Sequence, residues 1–103
     1  MVATILRIQV LATLNGPRER AAFERKLKEL GLANKPMLTQ EELTRVGLAC
    51  AAEVATGLAV LTPKIREQFG LQMQSVMEAH ERRDPEALDD LALIFRQTFK
   101  ATA

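Results

Sequence analysis

The stretch TQEELTRVGLACAAEVATGLAVL, residues 39–61, decides the fold. Thr39 can cap the first turn of a helix, and Glu42, three residues later, can bind back to the Thr39 amide. After Arg45 almost every residue is small or apolar, with Glu53 as the exception. Because a helix that is apolar on nearly all sides is surrounded by other helices, the sequence predicts a central helix over about 40–60.

Small residues recur every four positions along this predicted helix, so they share one strip of its surface. The strip consists of Gly47, Ala51, Ala55 and Ala59. We expect close helix–helix packing on it, within the chain or across a dimer. Glu53 leaves uncharged stretches well below the ~20 residues that a membrane span requires, so no membrane partner is expected. We expect Glu53 to lie at an exposed edge or to pair with an arginine.

Three more helices are predicted from their start signals. Each begins with a turn or capping residue followed by proline: Asn15-Gly16-Pro17, Thr62-Pro63 and Asp84-Pro85. The helices span about 17–30, 63–81 and 85–99. Short connections make consecutive helices antiparallel, so residues 1–103 are predicted to form a single, mainly α domain, a small bundle of four helices.

The N-terminal segment TILRIQVLATL, residues 4–14, alternates between apolar and mixed positions. This pattern favours a β-strand over about 4–13, although Leu6, Val10 and Leu14 also fit helical spacing. Within the chain only Met37 and Leu38 offer a weak partner strand. Because a strand needs hydrogen-bond partners, we expect it to pair with the same strand of a second copy in a homodimer.

Chemistry-bearing residues are sparse in this sequence. The formal charge is +1, and neither a phosphate loop, a dinucleotide fingerprint nor a nucleophile–histidine combination can be assembled. Cys50 is the single cysteine, which favours a cytoplasmic location and a packing role. His80, with Glu78 and Glu81, matches no zinc or di-iron spacing. We therefore expect no cofactor, no metal and no enzymatic activity.

By elimination, the sequence predicts a protein-interaction module. It would be a small homodimeric regulator that binds and inhibits or modulates another protein, for instance an antiactivator of a transcription factor. Two surfaces are candidates for the contact, the mixed face of the strand and the methionine-bearing third helix. The candidate residues are Ile5, Arg7, Gln9, Leu11, Phe69, Met73 and Met77.

Two alternatives remain. A dimeric N-terminal strand followed by helices resembles the layout of ribbon-helix-helix repressors, whose paired strands lie in the DNA major groove. That resemblance implies that Arg7 and Gln9 read base edges, and the charge of +4 in residues 1–35 would suit phosphate contacts. The other alternative is a small all-α enzyme without a recognisable motif.

Overall fold

A computed structural model describes residues 2–54 and 62–101 of the chain. Five helices and two short strands follow one another in this part. They are β1 (Thr4–Leu6), α1 (Arg7–Ala12), α2 (Pro17–Glu29), β2 (Met37–Thr39), α3 (Gln40–Val54), α4 (Pro63–Glu81) and α5 (Ala87–Ala101). The mainly helical architecture predicted from the sequence is confirmed, and no described helix is long and apolar enough to cross a bilayer.

The central position of α3 is also confirmed, because it packs against α2, α4, α5 and β2. Its start is the predicted capping box. The Thr39 amide donates to Glu42 Oε1 at 2.9 Å, and the Glu42 amide donates to Thr39 Oγ1 at 3.2 Å. Leu38 and Leu43, on either side of the cap, are both fully buried. The local sequence thus fixes where the central helix begins and the angle at which it enters the core.

Gly47 and Ala51 of the small-residue strip are buried on α3. A Cβ atom at Gly47 would lie 2.7 Å from Phe69 Cζ and 3.2 Å from Phe95 Cε1. The missing side chain therefore makes room for the aromatic core, in which Phe95 contacts both Phe23 and Phe69. Ala55 and Ala59, the other members of the strip, lie outside the described residues.

The N-terminal strand is much shorter than predicted, because it ends at Leu6 and residues 7–12 form α1. Val10 in α1 and Leu14 just after it are both buried. Their spacing of four positions is that of the helical alternative that the sequence had left open. The length of β1 is also limited by the length of its partner strand, β2. β2 has three residues, preceded by Pro36, which lacks an N–H group, and followed directly by α3.

The partner strand lies within the chain. β1 pairs antiparallel with β2 in the register Thr4↔Thr39, Ile5↔Leu38 and Leu6↔Met37. Our expectation that the strand pairs across a dimer rested on the lack of such a partner, and β2 removes that reason. A homodimer must therefore be argued from another surface.

The turns between helices follow the capping rules. Gly31 ends α2 with a φ of 73°, and the Leu32 amide donates to the Leu27 carbonyl at 2.7 Å. Thr62 Oγ1 accepts from the Ile65 amide at 3.2 Å and starts α4. Asp84 Oδ1 accepts from the Glu86 amide at 2.9 Å, and α5 begins at Ala87, two residues later than predicted.

Candidate interaction surface

Four of the seven residues predicted to contact a partner are core residues. Ile5 and Met73 are fully buried, and Phe69 and Met77 are exposed by no more than 2%. They fill the space between β1, α3, α4 and α5, so they are unavailable to a partner of the folded chain. The methionine-bearing side of α4 is thus part of the core, as expected of an apolar stripe at helical spacing.

The remaining three predicted residues lie on α1 rather than on a strand. The Arg7 guanidinium donates to the Ala33 carbonyl, and its amide donates to the Pro36 carbonyl at 2.9 Å. Leu11 is partly buried against the core, and Gln9 lines a cavity near the α4–α5 turn. The layout of a ribbon-helix-helix protein is therefore not found in the described residues, because neither Arg7 nor Gln9 projects from a paired strand.

The two-stranded sheet has one apolar face in the core and one facing outward. Ile5 and Leu38 face each other inward, and both are fully buried. Since side chains alternate along a strand, Leu6 and Met37 face outward as a cross-strand pair, with exposed fractions of 40% and 43%. We predicted that Ile5 lies on the contact face of the strand, whereas the register turns Ile5 into the core and Leu6 outward.

A groove of about 770 Å³ begins at Thr39, the β2 residue two positions after Met37. It runs between the start of α3 and the middle of α4, and Thr39, Val2 and Leu71 line it. Val2 is 72% exposed and Leu71 61%. We call Val2, Leu6, Met37 and Leu71 the N-terminal patch. It holds four of the seven large apolar side chains that are exposed among the described residues.

Charges of both signs lie along the same groove. Glu41 and Arg45 form an ion pair of 3.0 Å on successive turns of α3, and Glu67 faces them from α4. Gly70 of α4 also lines the groove, and a Cβ atom there would meet no atom within 4 Å. A groove that combines exposed apolar side chains with charges of both signs is a geometry that suits a protein partner.

The two residues with the most conspicuous chemistry are structural. Burial raises the pKa of the Cys50 thiol to about 12, so the nucleophilic thiolate does not form at neutral pH. Glu53 accepts from Arg25 Nε at 3.2 Å and lies 3.7 Å from Lys26 Nζ. The hydrogen bond from Arg25 lowers the pKa of this carboxyl group, so it stays ionised and ties α3 to α2.

Comparison with known proteins adds no family. No protein-family model matches the chain, and neither a curated protein nor a solved structure is found to be similar to it. Within residues 2–54 and 62–101, no group of three or more His, Cys, Asp or Glu side chains could hold a metal ion.

The patch could have been found from two sequence signals that we did not use. Leu38 is the staple residue of α3 and must face inward, so its neighbour Met37 must face outward. Leu71 falls outside the stripe of Phe69, Met73 and Met77, so α4 presents it on another face.

Proposed function

We propose that this protein is a non-enzymatic protein-interaction module that forms a homodimer through the N-terminal patch and regulates a second protein. The observation that carries the proposal is the exposure of two pairs of large apolar side chains beside the same strand, Leu6 with Met37 across the sheet and Val2 with Leu71 in the groove that Thr39 of β2 also lines. Single exposed apolar residues need no explanation, whereas several of them near charges of both signs are typical of interaction sites.

A second copy of the chain suits this surface because its charges are self-complementary. In a two-fold dimer each patch contacts the same patch of the other copy. Glu41, Arg45 and Glu67 line the groove, so a two-fold rotation can bring Arg45 of one copy opposite an acid of the other. Such rim pairs favour correct alignment more than they add affinity.

Regulation would follow from competition for the same patch. A protein with a complementary apolar face would replace the second copy. The homodimer would then be the inactive form, and the complex with that protein would be the active form. An antiactivator that covers the working surface of a transcription factor is one example of such a regulator. The raised pKa of Cys50 supports a non-enzymatic role, since its thiol is held in the unreactive protonated form, and Glu53 is engaged in an ion pair with Arg25.

Affinity capture from the native host tests the regulatory part. The full chain, its Leu71→Glu variant and its Leu93→Glu variant serve as baits. Leu93 is the matched control, because it is 46% exposed on α5 and does not line the groove. We expect the same protein to be retained by the wild type and by Leu93→Glu but lost from Leu71→Glu. Capture of that protein by all three baits, or of none, would contradict the proposal.

A further inference from the structure

Gly70, in the middle of α4, is a glycine that the packing of its own chain does not require. Its backbone is helical, and a Cβ atom there would meet no described atom within 4 Å, so alanine would fit equally well. Gly47 is the contrasting case, because its missing side chain makes room for Phe69 and Phe95. Since glycine destabilises a helix interior relative to alanine, Gly70 indicates a close approach from outside the chain.

Gly70 shares one face of α4 with three other residues. Glu67, Gly70, Leu71 and Gln74 follow the i, i+3, i+4, i+7 spacing of a helix face, and all four line the groove beside α3. Leu71 projects from this face with 61% of its surface exposed. A large apolar side chain therefore lies directly beside the space that the glycine leaves open.

The polar residues at the two ends of this face suit a second copy of α4 that runs antiparallel to the first. Glu67 forms no ion pair with any described residue. Gln74 donates one hydrogen of its amide to Glu78 at 3.2 Å, which leaves the second hydrogen for another acceptor. Antiparallel helices place the Glu67 carboxylate opposite Gln74 of the second copy, whereas parallel helices would place the two Glu67 carboxylates side by side.

We propose that the two copies of the homodimer contact each other through antiparallel α4 helices, with the two-fold axis between Gly70 and Leu71. Each Leu71 packs into the space over Gly70 of the second copy, and Glu67 accepts a hydrogen bond from Gln74 at either end. The axes of packed helices lie about 8–10 Å apart, depending on the side chains between them, and glycine permits the shorter distance. This inference rests on the proposed homodimer and specifies the helix at its centre.

Substitution of Gly70 separates a role in the dimer from a role in the fold. Sedimentation velocity of the full chain measures dimerisation, and thermal unfolding in dilute solution measures the stability of the monomer. We expect Gly70→Ala to weaken dimerisation by about tenfold or more and Gly70→Leu to abolish it, although alanine stabilises the monomer. Ser75→Ala is the matched control, since it raises the helix propensity of α4 at an exposed position outside the groove and should dimerise like the wild type.

Exchange of the two end residues tests the antiparallel arrangement. Gln74→Glu should weaken dimerisation, because it places two carboxylates opposite each other at both ends of the contact. Combining it with Glu67→Gln should restore dimerisation, because an amide and a carboxylate again face each other. The hydrogen bond from Gln74 to Glu78 is lost in the single and in the double variant, so it does not explain the recovery.

The outcomes distinguish this inference from the proposed function on which it rests. A wild type that stays monomeric would overturn both. A dimer that is lost in Leu71→Glu but unchanged in Gly70→Ala and Gly70→Leu, or that the double variant does not restore, would overturn the inference alone. A Gly70→Ala monomer less stable than the wild type would assign Gly70 a structural role and would also overturn it.

Discussion

Gly47 and Gly70 are predicted to respond in opposite ways to the same substitution. Both lie inside helices, so replacement by alanine gains about 1 kcal/mol of helix propensity at either position. At Gly70 the new methyl group meets no atom within 4 Å. We therefore expect Gly70→Ala to raise the free energy of unfolding by about 1 kcal/mol.

At Gly47 the methyl group would collide with the core. It would lie 2.7 and 2.9 Å from two ring atoms of Phe69 and 3.2 Å from Phe95, against about 3.5–4.0 Å for a favourable carbon contact. Phe69 is 1% exposed and its ring centroid lies 6.2 Å from that of Phe95, so it has little room to retreat. Overpacking of this kind costs about 1–3 kcal/mol, which offsets the helical gain and leaves a net loss of about 1 kcal/mol.

The difference between the two variants isolates the packing term, since the propensity gain is common to both. Urea unfolding followed by far-ultraviolet circular dichroism measures it, and an unchanged m-value would show that the unfolded states are comparable. We expect Gly47→Ala to be less stable than Gly70→Ala by about 1–3 kcal/mol. Equal stability of the two variants would refute the close approach of α3 to the aromatic core.

Three further substitutions and reactions test other parts of the structure. Cys50 should react with a thiol reagent only after the chain is unfolded, because burial raises its pKa to about 12; rapid reaction of the native protein would contradict its burial. Glu42→Gln should destabilise the protein above pH 4.5, since the hydrogen bond from Lys35 and then that from the Thr39 amide lower the Glu42 pKa. That contribution is lost as pH falls through the lowered pKa, so stability curves of the two proteins should converge in acid; a constant gap would argue against it. Arg83→Gly should raise the free energy of unfolding by about 0.5–1 kcal/mol, because a non-glycine residue at positive φ is strained, and a loss of stability in thermal unfolding would contradict this.

The sequence predicted the helices well because their boundary signals are local. The capping box at Thr39, the Thr62 cap and the Gly31 terminus each involve residues within five positions of one another. These interactions form in the same way whatever the rest of the chain does. These local signals therefore predicted the described ends of α2, α3 and α4 to within one residue.

The N-terminal segment was harder to predict because its structure depends on a distant one. Whether Leu6 faces inward or outward is set by pairing with Met37, and the strand's length is set by Pro36 and by the start of α3. A shift of one residue exchanges the two faces of a strand, so alternation alone could not say which face was buried. The assignment of Ile5 to a contact surface failed for this reason.

The sequence predicted that the protein has an apolar interaction surface, but it did not predict which residues form that surface. Exposed leucine and methionine look like core residues in the sequence, and their exposure emerges from the packing of α3, α4 and the sheet together. Gln9 illustrates the same limit, since its cavity is formed by a turn about 70 positions further along the chain.

Sedimentation velocity of the wild type and of Leu71→Glu, over about 5 to 300 µM, tests the central claim most directly. Leu71 is 61% exposed, so the charge should leave the monomer fold intact, and Leu93→Glu controls for added charge alone. The account predicts that the wild type and Leu93→Glu form dimers as concentration rises, whereas Leu71→Glu remains monomeric. A wild type that stays monomeric throughout, or a Leu71→Glu variant that dimerises equally well, would contradict it.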